Sequence, residues 1–189
     1  MFQLSIRDDV CLQLMEERHA EAVYAVVDGD REHLRPWLPW VDQSTNSEYT
    51  RQFIRGALEQ FSRNQGFSAA IWIDGQVAGG IGFHNVNWPN KNVEMGYWLA
   101  SRFEGQGIAT DACRALINYA FDEWKLNRVE IRCATGNTRS AAVPTRLGFT
   151  LEGTLRQAQF VSDKFYDLFV YGMLAKEWKH QRHIPERPR

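Results

Sequence analysis

The sequence is poor in the features that would tie it to a disulfide scaffold, a metal site or a membrane. Its three cysteines, Cys11, Cys113 and Cys133, are odd in number, far apart and never arranged as C-x-x-C. That argues against a disulfide framework and against a cysteine zinc site. No apolar run approaches the ~20 residues needed to cross a bilayer. Met1-Phe2-Gln3-Leu4 also lacks the basic-then-apolar order of a signal peptide, so the expected location is the cytoplasm. Net charge is lacking too, with 22 Lys and Arg against 23 Asp and Glu. No overall field recruits nucleic acid or an anionic membrane, and a substrate must be found by a local site.

What is present suits one domain with a real core, since 189 residues are slightly short for two. We place that domain at residues 1–176. The tail, 177–189, is basic, carries two prolines and reads as frayed and solvated rather than as an RNA-binding arm. Residues 2–14 read as a strand or hairpin broken at Arg7-Asp8-Asp9. Helical stripes follow at 19–27 and at 48–61, the second with Phe53, Ile54, Ala57, Leu58 and Phe61 inward. Between them, two prolines and two tryptophans in His33–Trp40 forbid a regular helix. Trp37 and Trp40 are either core staples or the lining of a substrate groove.

Asp74-Gly75 between apolar runs predicts a hairpin of 67–73 with 76–83. A strand at 128–134, a short helix at 141–147 and a last hairpin, 150–161 with 165–174, complete the chain. Cys133 lies in the apolar-patterned strand R-V-E-I-R-C-A and reads as a buried small hydrophobe, not as an acyl carrier.

The chain is organised around 93–124. Val93, Met95, Tyr97 and Leu99 alternate with Glu94, Gly96 and Trp98, the period of a strand. After Gly105 and Gly107 the period becomes helical, through Ile108, Ala112, Leu116 and Trp124. Glycines before a helix start bring bare N–H groups and a positive dipole end to one place, which is an anion site. The dinucleotide fingerprint fails here because position 110 is Thr, and the P-loop fails because Ile108 and Ala109 stand where Lys and Ser or Thr belong.

Arg102-Phe103-Glu104-Gly105-Gln106-Gly107-Ile108-Ala109-Thr110 does resemble the pyrophosphate signature (Gln/Arg)-x-x-Gly-x-(Gly/Ala) of the GCN5-related N-acetyltransferases, the GNAT family. Asn137, Ser140 and Gly148-Phe149 match that family's second motif at the right distance. The segments H-L-R-P-W-L-P-W, E-M-G-Y-W-L, F-T-L-E-G-T-L-R-Q-A and D-L-F-V-Y-G-M-L-A-K-E-W resemble its RimJ/RimL branch, whose members acetylate N-termini of ribosomal proteins.

The resemblance implies an α+β (mixed α/β) GNAT fold. Its sheet is twisted and mostly antiparallel, of about seven strands, splayed at the cofactor site and flanked by about four helices. It implies acetyl-CoA as cosubstrate, no metal, no direct nucleic acid or membrane partner, and it is compatible with a homodimer. Tyr97, Trp98, Leu99, Arg102, Gly105, Gln106, Gly107, Ile108, Ala109, Thr110, Asn137 and Ser140 would hold the cofactor. The acceptor is a primary amine, in first place a protein N-terminus such as that of a ribosomal protein, in second place a small molecule. A non-catalytic acyl-CoA-binding module is the reading from another class.

Transfer to an amine requires deprotonation, in-line attack, oxyanion donors and a proton for the thiolate. Glu94 is the candidate base, or else a structural carboxylate paired with an arginine. Backbone N–H groups at Tyr97 to Leu99 are the expected oxyanion donors. The tyrosine many GNAT enzymes carry seven residues after the motif asparagine is Pro144 here, so Ser140 becomes the candidate acid, or else a helix N-cap. Pro144 also cannot donate to the Ser140 carbonyl. Gln159 stands where RimL-like enzymes can carry a glutamate base, and it can only position substrate. Catalysis then rests on Glu94, on another acid such as Asp167, or on an amine that is already neutral, and Asp167 is also assigned to the substrate side with Trp37 and Trp40.

Overall fold

The structure is a computed structural model and describes residues 3–182. Its strands are β1 (Gln3–Ser5), β2 (Val10–Leu14), β3 (Phe67–Ile73), β4 (Gln76–Asn87), β5 (Asn92–Leu99), β6 (Arg128–Ala134), β7 (Thr150–Val161) and β8 (Lys164–Leu174). They form one sheet in the order β1-β2-β3-β4-β5-β6-β8-β7. The helices are α1 (Ala20–Gly29), α2 (Arg31–Leu34), α3 (Ser47–Ser62), α4 (Ile108–Asp122), α5 (Thr138–Arg146) and α6 (Ala175–Arg182). The mixed architecture is the expected one. The extra strand comes from the first extended piece folding back as β1–β2, and the extra helices are the short α2 and α6.

Local chemistry explains the main elements. Asp74 and Gly75 both take positive φ, 46° and 75°, the primed turn that matches strand twist, and β3 and β4 pair antiparallel on either side. Asn46 caps α3 by accepting from the Tyr49 N–H at 2.9 Å. Ile54 and Ala57 of α3 are buried as expected, and Thr50 is buried with them, but Phe53 is 53% and Phe61 41% exposed. Ile108, Ala112, Leu116 and Ala120 of α4 are at most 2% exposed and pack on the sheet. Phe67, Phe83 and Tyr119 meet Trp124 at centroid distances of 5.8, 5.2 and 5.7 Å, which fixes the exit of α4 against β3 and β4.

One pair in the sheet is parallel. The α4 crossover returns the chain in the same direction, so β6 runs alongside β5. The ladder covers only Asn92–Glu94 against Arg128–Glu130, although both strands continue beyond it. No helix among the described residues is long and apolar enough to cross a membrane.

The tail departs from expectation. Residues 177–182 belong to α6, and Trp178 is 2% exposed, its Nε1–H donating to Asn118 Oδ1 at 2.7 Å. Apolar area on one tryptophan outweighs the polar composition around it. Residues 183–189 of the expected tail lie outside the described residues. Trp178→Ala should lower the unfolding free energy by ~3–5 kcal/mol in urea titrations, the usual cost of emptying a buried aromatic site. A change under ~0.5 kcal/mol, the surface range, would mean that α6 does not close the core.

Candidate active site

The site begins where β5 and β6 part. β4 holds β5 as far as Gly79↔Leu99, and β8 holds β6 as far as Ala134↔Leu168. Each strand is thus committed to its outer neighbour, and the inner edge of β5 from Met95 to Leu99 keeps N–H and C=O groups with no strand beside them among the described residues. An extended, amide-bearing ligand can pair with such an edge.

The glycine turn lies at the end of that edge. Gly105 and Gly107 have φ of 76° and 77°, the left-handed region glycine favours, and Gly107 caps α4. The first helical N–H with a partner is that of Asp111, to Gly107 O at 3.0 Å, which leaves the N–H groups of Ile108, Ala109 and Thr110 free of helical partners. The side chains point elsewhere. Ile108 is in the core, and the Thr110 hydroxyl accepts from Arg146 at 2.9 Å, which ties α4 to α5. Asp111 would repel a phosphate, but Arg7 pairs with it and also donates to Gln106 O at 3.1 Å. Glu104 is held by Arg139 and by His33 at 3.1 Å, and the Arg102 guanidinium lies 4.6 Å from the centroid of Phe103.

A cavity of about 580 Å³ passes through the opening. Cys133, Asn137 and Ser140 line it near α5; Trp37, Trp40, Phe53, His84, Glu94, Trp98, Arg132 and Gln159 line it elsewhere. The two tryptophans therefore belong to the cavity wall. Trp40 meets Trp98 edge-on at 5.9 Å, and Trp37 meets Tyr166 at 6.2 Å. Gln159 reaches the Trp37 carbonyl at 3.4 Å. Asp167 does not line the cavity. Its carboxylate accepts from the Gln157 N–H at 2.7 Å, steadying the β7 irregularity where Gln157 has φ 50°.

Ser140 is not the helix cap. Asn137 fills that place, its Oδ1 accepting from the Ser140 N–H at 3.1 Å, so α5 starts three residues earlier than expected. Pro144 leaves the Ser140 carbonyl without its helical donor, and the Tyr97 hydroxyl donates there instead at 2.8 Å. Ser140 Oγ in turn donates to the Tyr97 hydroxyl at 3.3 Å. A tyrosine thus stands beside Ser140 although Pro144 occupies the usual tyrosine position. Burial pushes the Tyr97 phenol well up, and burial raises the Cys133 thiol as well, so both keep their protons.

Glu94 lies across the opening, its side chain 17% exposed. His84 Nε2 stands 3.3 Å from it, Asn85 Nδ2 donates at 3.0 Å, and Arg132 lies at 3.9 Å. Burial works to raise this carboxyl, but the hydrogen bonds from His84 and Asn85 and the charges of His84 and Arg132 prevail and hold it at about 2. A carboxylate so stabilised is a fixed charge and a weak proton acceptor. His84, Asn85 and Arg132 are the residues that sequence reasoning missed. The bulge between His84 and Asn87 breaks the two-residue count, and Asn85 turns back at φ 53° to reach Glu94.

Removing the Tyr97 hydroxyl should expose the deficit at Pro144. Tyr97→Phe is expected to cost ~1–3 kcal/mol in denaturant unfolding, since the Ser140 carbonyl loses its substitute donor; an unchanged midpoint would show that the bond carries nothing. Glu94 has a depressed folded value against an ordinary 4.5. Its contribution, on the order of 3 kcal/mol, is present above pH ~4.5 and lost as pH falls toward 2. Glu94→Gln should flatten stability over that window, and identical pH slopes for the two proteins would refute the assignment.

Residues 9–150 match the acetyltransferase (GNAT) domain family. The proposed ribosomal N-acetyltransferase YdaF of Bacillus subtilis is 36% identical over 183 residues, 96% of this chain and all of that protein. The ribosomal-protein-serine acetyltransferase of Escherichia coli is 30% identical over 171 residues, 90% of this chain and 96% of that one. Among solved structures, RimL, a ribosomal-protein alpha-N acetyltransferase in complex with coenzyme A, superposes with a TM-score of 0.89 at 27% identity, covering 93% of this chain and 99% of that one. With the signature loop, the parted strands and these relatives together, the chain belongs to the GNAT acetyltransferase family.

Proposed function

We propose that the protein transfers the acetyl group of acetyl-CoA to a primary amine, the N-terminal amine of a ribosomal protein being its acceptor. The observation that carries this reading is the parting of β5 from β6 with a cavity through it, hydroxyls on one side and a fixed carboxylate on the other. The names of the relatives supply the acceptor, and such an acceptor would put the enzyme in the cytoplasm.

The free edge Met95–Leu99 suits the amides of a pantetheine arm, and the N–H groups of Ile108, Ala109 and Thr110 suit a pyrophosphate. Bound acetyl-CoA supplies an activated thioester. N–H groups of the β5 edge would polarise its carbonyl, and the Ser140 hydroxyl would give a proton toward the sulfur, with Tyr97 holding it in place. On the acceptor side, Glu94 supplies the negative charge and Trp37, Trp40 and Phe53 supply ring surface that attracts an ammonium. Gln159 is left with substrate positioning.

The test is release of CoA thiol from acetyl-CoA with peptides beginning in serine, set against spermidine and aminoglycosides. Turnover should be highest with the peptides. Ser140→Ala should lower kcat by roughly 10²-fold, the usual size of a lost proton donor, while acetyl-CoA still binds. Binding without thiol release for any amine would make the protein an acyl-CoA-binding module, and absence of acetyl-CoA binding would remove the reading altogether.

A further inference from the structure

Within the acetyltransferase reading, on which this rests, the proton acceptor is missing. Gln159 cannot serve, Asp167 is turned to the Gln157 N–H, and Glu94 is a stabilised anion. The remaining titratable side chains of the cavity are Tyr49, Tyr97, Arg132, Cys133 and His84. Tyr49 donates its hydroxyl to Gln43 Oε1 at 2.7 Å, and Tyr97 and Cys133 hold their protons behind β5.

We propose that His84 is the general base, taking the proton of the acceptor ammonium on Nδ1, and that Glu94 is the positioning residue that holds its Nε2. His84 on β4 stands directly across from Glu94 on β5, and Nε2 is 3.3 Å from Oε1. A neutral imidazole has one donor and one acceptor nitrogen, so Nε2–H directed at Glu94 leaves the lone pair on Nδ1. Among the described residues no donor is bonded to Nδ1. The ring is seated over Gly96, where a Cβ would come within 3.0 Å of Cε1; any side chain there would displace it. It is 45% exposed and lines the cavity, so an amine or a bridging water can reach it.

A salt-bridged row stands behind the pair. Arg132 lies 3.9 Å from Glu94 and 2.6 Å from Glu130, and Arg128 joins Glu130 at 2.6 Å and Glu152 at 2.5 Å. This row fixes the carboxylate and hence the ring. The charged groups facing His84 are therefore Glu94 from β5 and, behind it, Arg132 from β6; α1 and α3 bring only the phenol of Tyr49 as a titratable group.

The step balances. The ammonium gives one proton to Nδ1, its nitrogen forms the bond to the acetyl carbon, and the carbon–sulfur bond breaks. The second amine proton leaves as the thiolate sulfur is protonated through Ser140. The products are amide, CoA thiol and an imidazolium that returns its proton to water.

The experiment is kcat/KM for a serine-starting peptide from pH 5.5 to 9.5, with acetyl-CoA binding measured in parallel. His84→Gln is expected to lose roughly 10²-fold near pH 7, and the deficit should shrink above pH ~8, where the α-amine is neutral without help. Glu94→Gln should move the acid limb to lower pH, because the imidazolium loses its anion. Free imidazole should restore part of the activity of His84→Ala, which also covers the case in which the Gln variant folds poorly. A deficit constant across pH with no imidazole rescue, or activity within threefold of wild type, overturns the base assignment. An unmoved limb in Glu94→Gln overturns the positioning role. Wild-type protein that releases no CoA with any amine overturns the acetyltransferase reading itself, and this assignment with it.

Discussion

The hydrogen bonds that β5 and β6 do not make are the constraint on which the rest of the structure depends. A parallel pair joined by a helical crossover would ordinarily be zipped along its length, but here it is zipped only at Asn92–Glu94. Beyond that point β4 and β8 satisfy the outer edges and pull the strands apart. The price of the gap is a row of unpaired backbone groups on β5, which a ligand with amides can satisfy. The same divergence admits the cavity, and it sets α4 and α5 with their N-termini near the gap.

Around this opening, groups that lack their ordinary partner find a substitute from another element. Pro144 removes one helical donor and Tyr97 replaces it from β5. Asn137 caps α5 and frees the Ser140 hydroxyl for the Tyr97 oxygen. Arg7, from the turn between β1 and β2, neutralises Asp111 at the helix start where phosphates would dock. On the other side of the sheet, burial alone would favour a neutral Glu94, and the cationic and hydrogen-bonding partners reverse that balance. The two sides of the opening are thus electrostatically distinct, with hydroxyls that keep their protons on one and a fixed anion beside an imidazole on the other.

Much of this was legible in the sequence, for reasons of period and spacing. Alternation at 93–99, the glycines at 105 and 107 and the stripe of α4 define strand, turn and helix without help from distant residues, and Asp74-Gly75 sets its own hairpin. The free N–H groups at 108–110 follow, because they are backbone donors that any such turn presents. The exposure of Phe53 and the burial of Trp178 were not legible. Each depends on whether another element covers the position, and a stripe records only that a face is apolar.

By itself, the sequence determined the fold class, through local periodicity, and the family, through the resemblance its closely spaced motifs carry. Tertiary structure alone decided the surroundings of Glu94 and Ser140. Whether Glu94 is a base or a fixed charge depends on His84, Asn85 and Arg132, which reach it across two strand boundaries and a bulge. Whether Ser140 is a cap or a donor depends on Asn137 and on Tyr97, forty-three positions away along the chain. Electrostatic environment is a sum over neighbours in space, and no spacing rule along the chain supplies that sum.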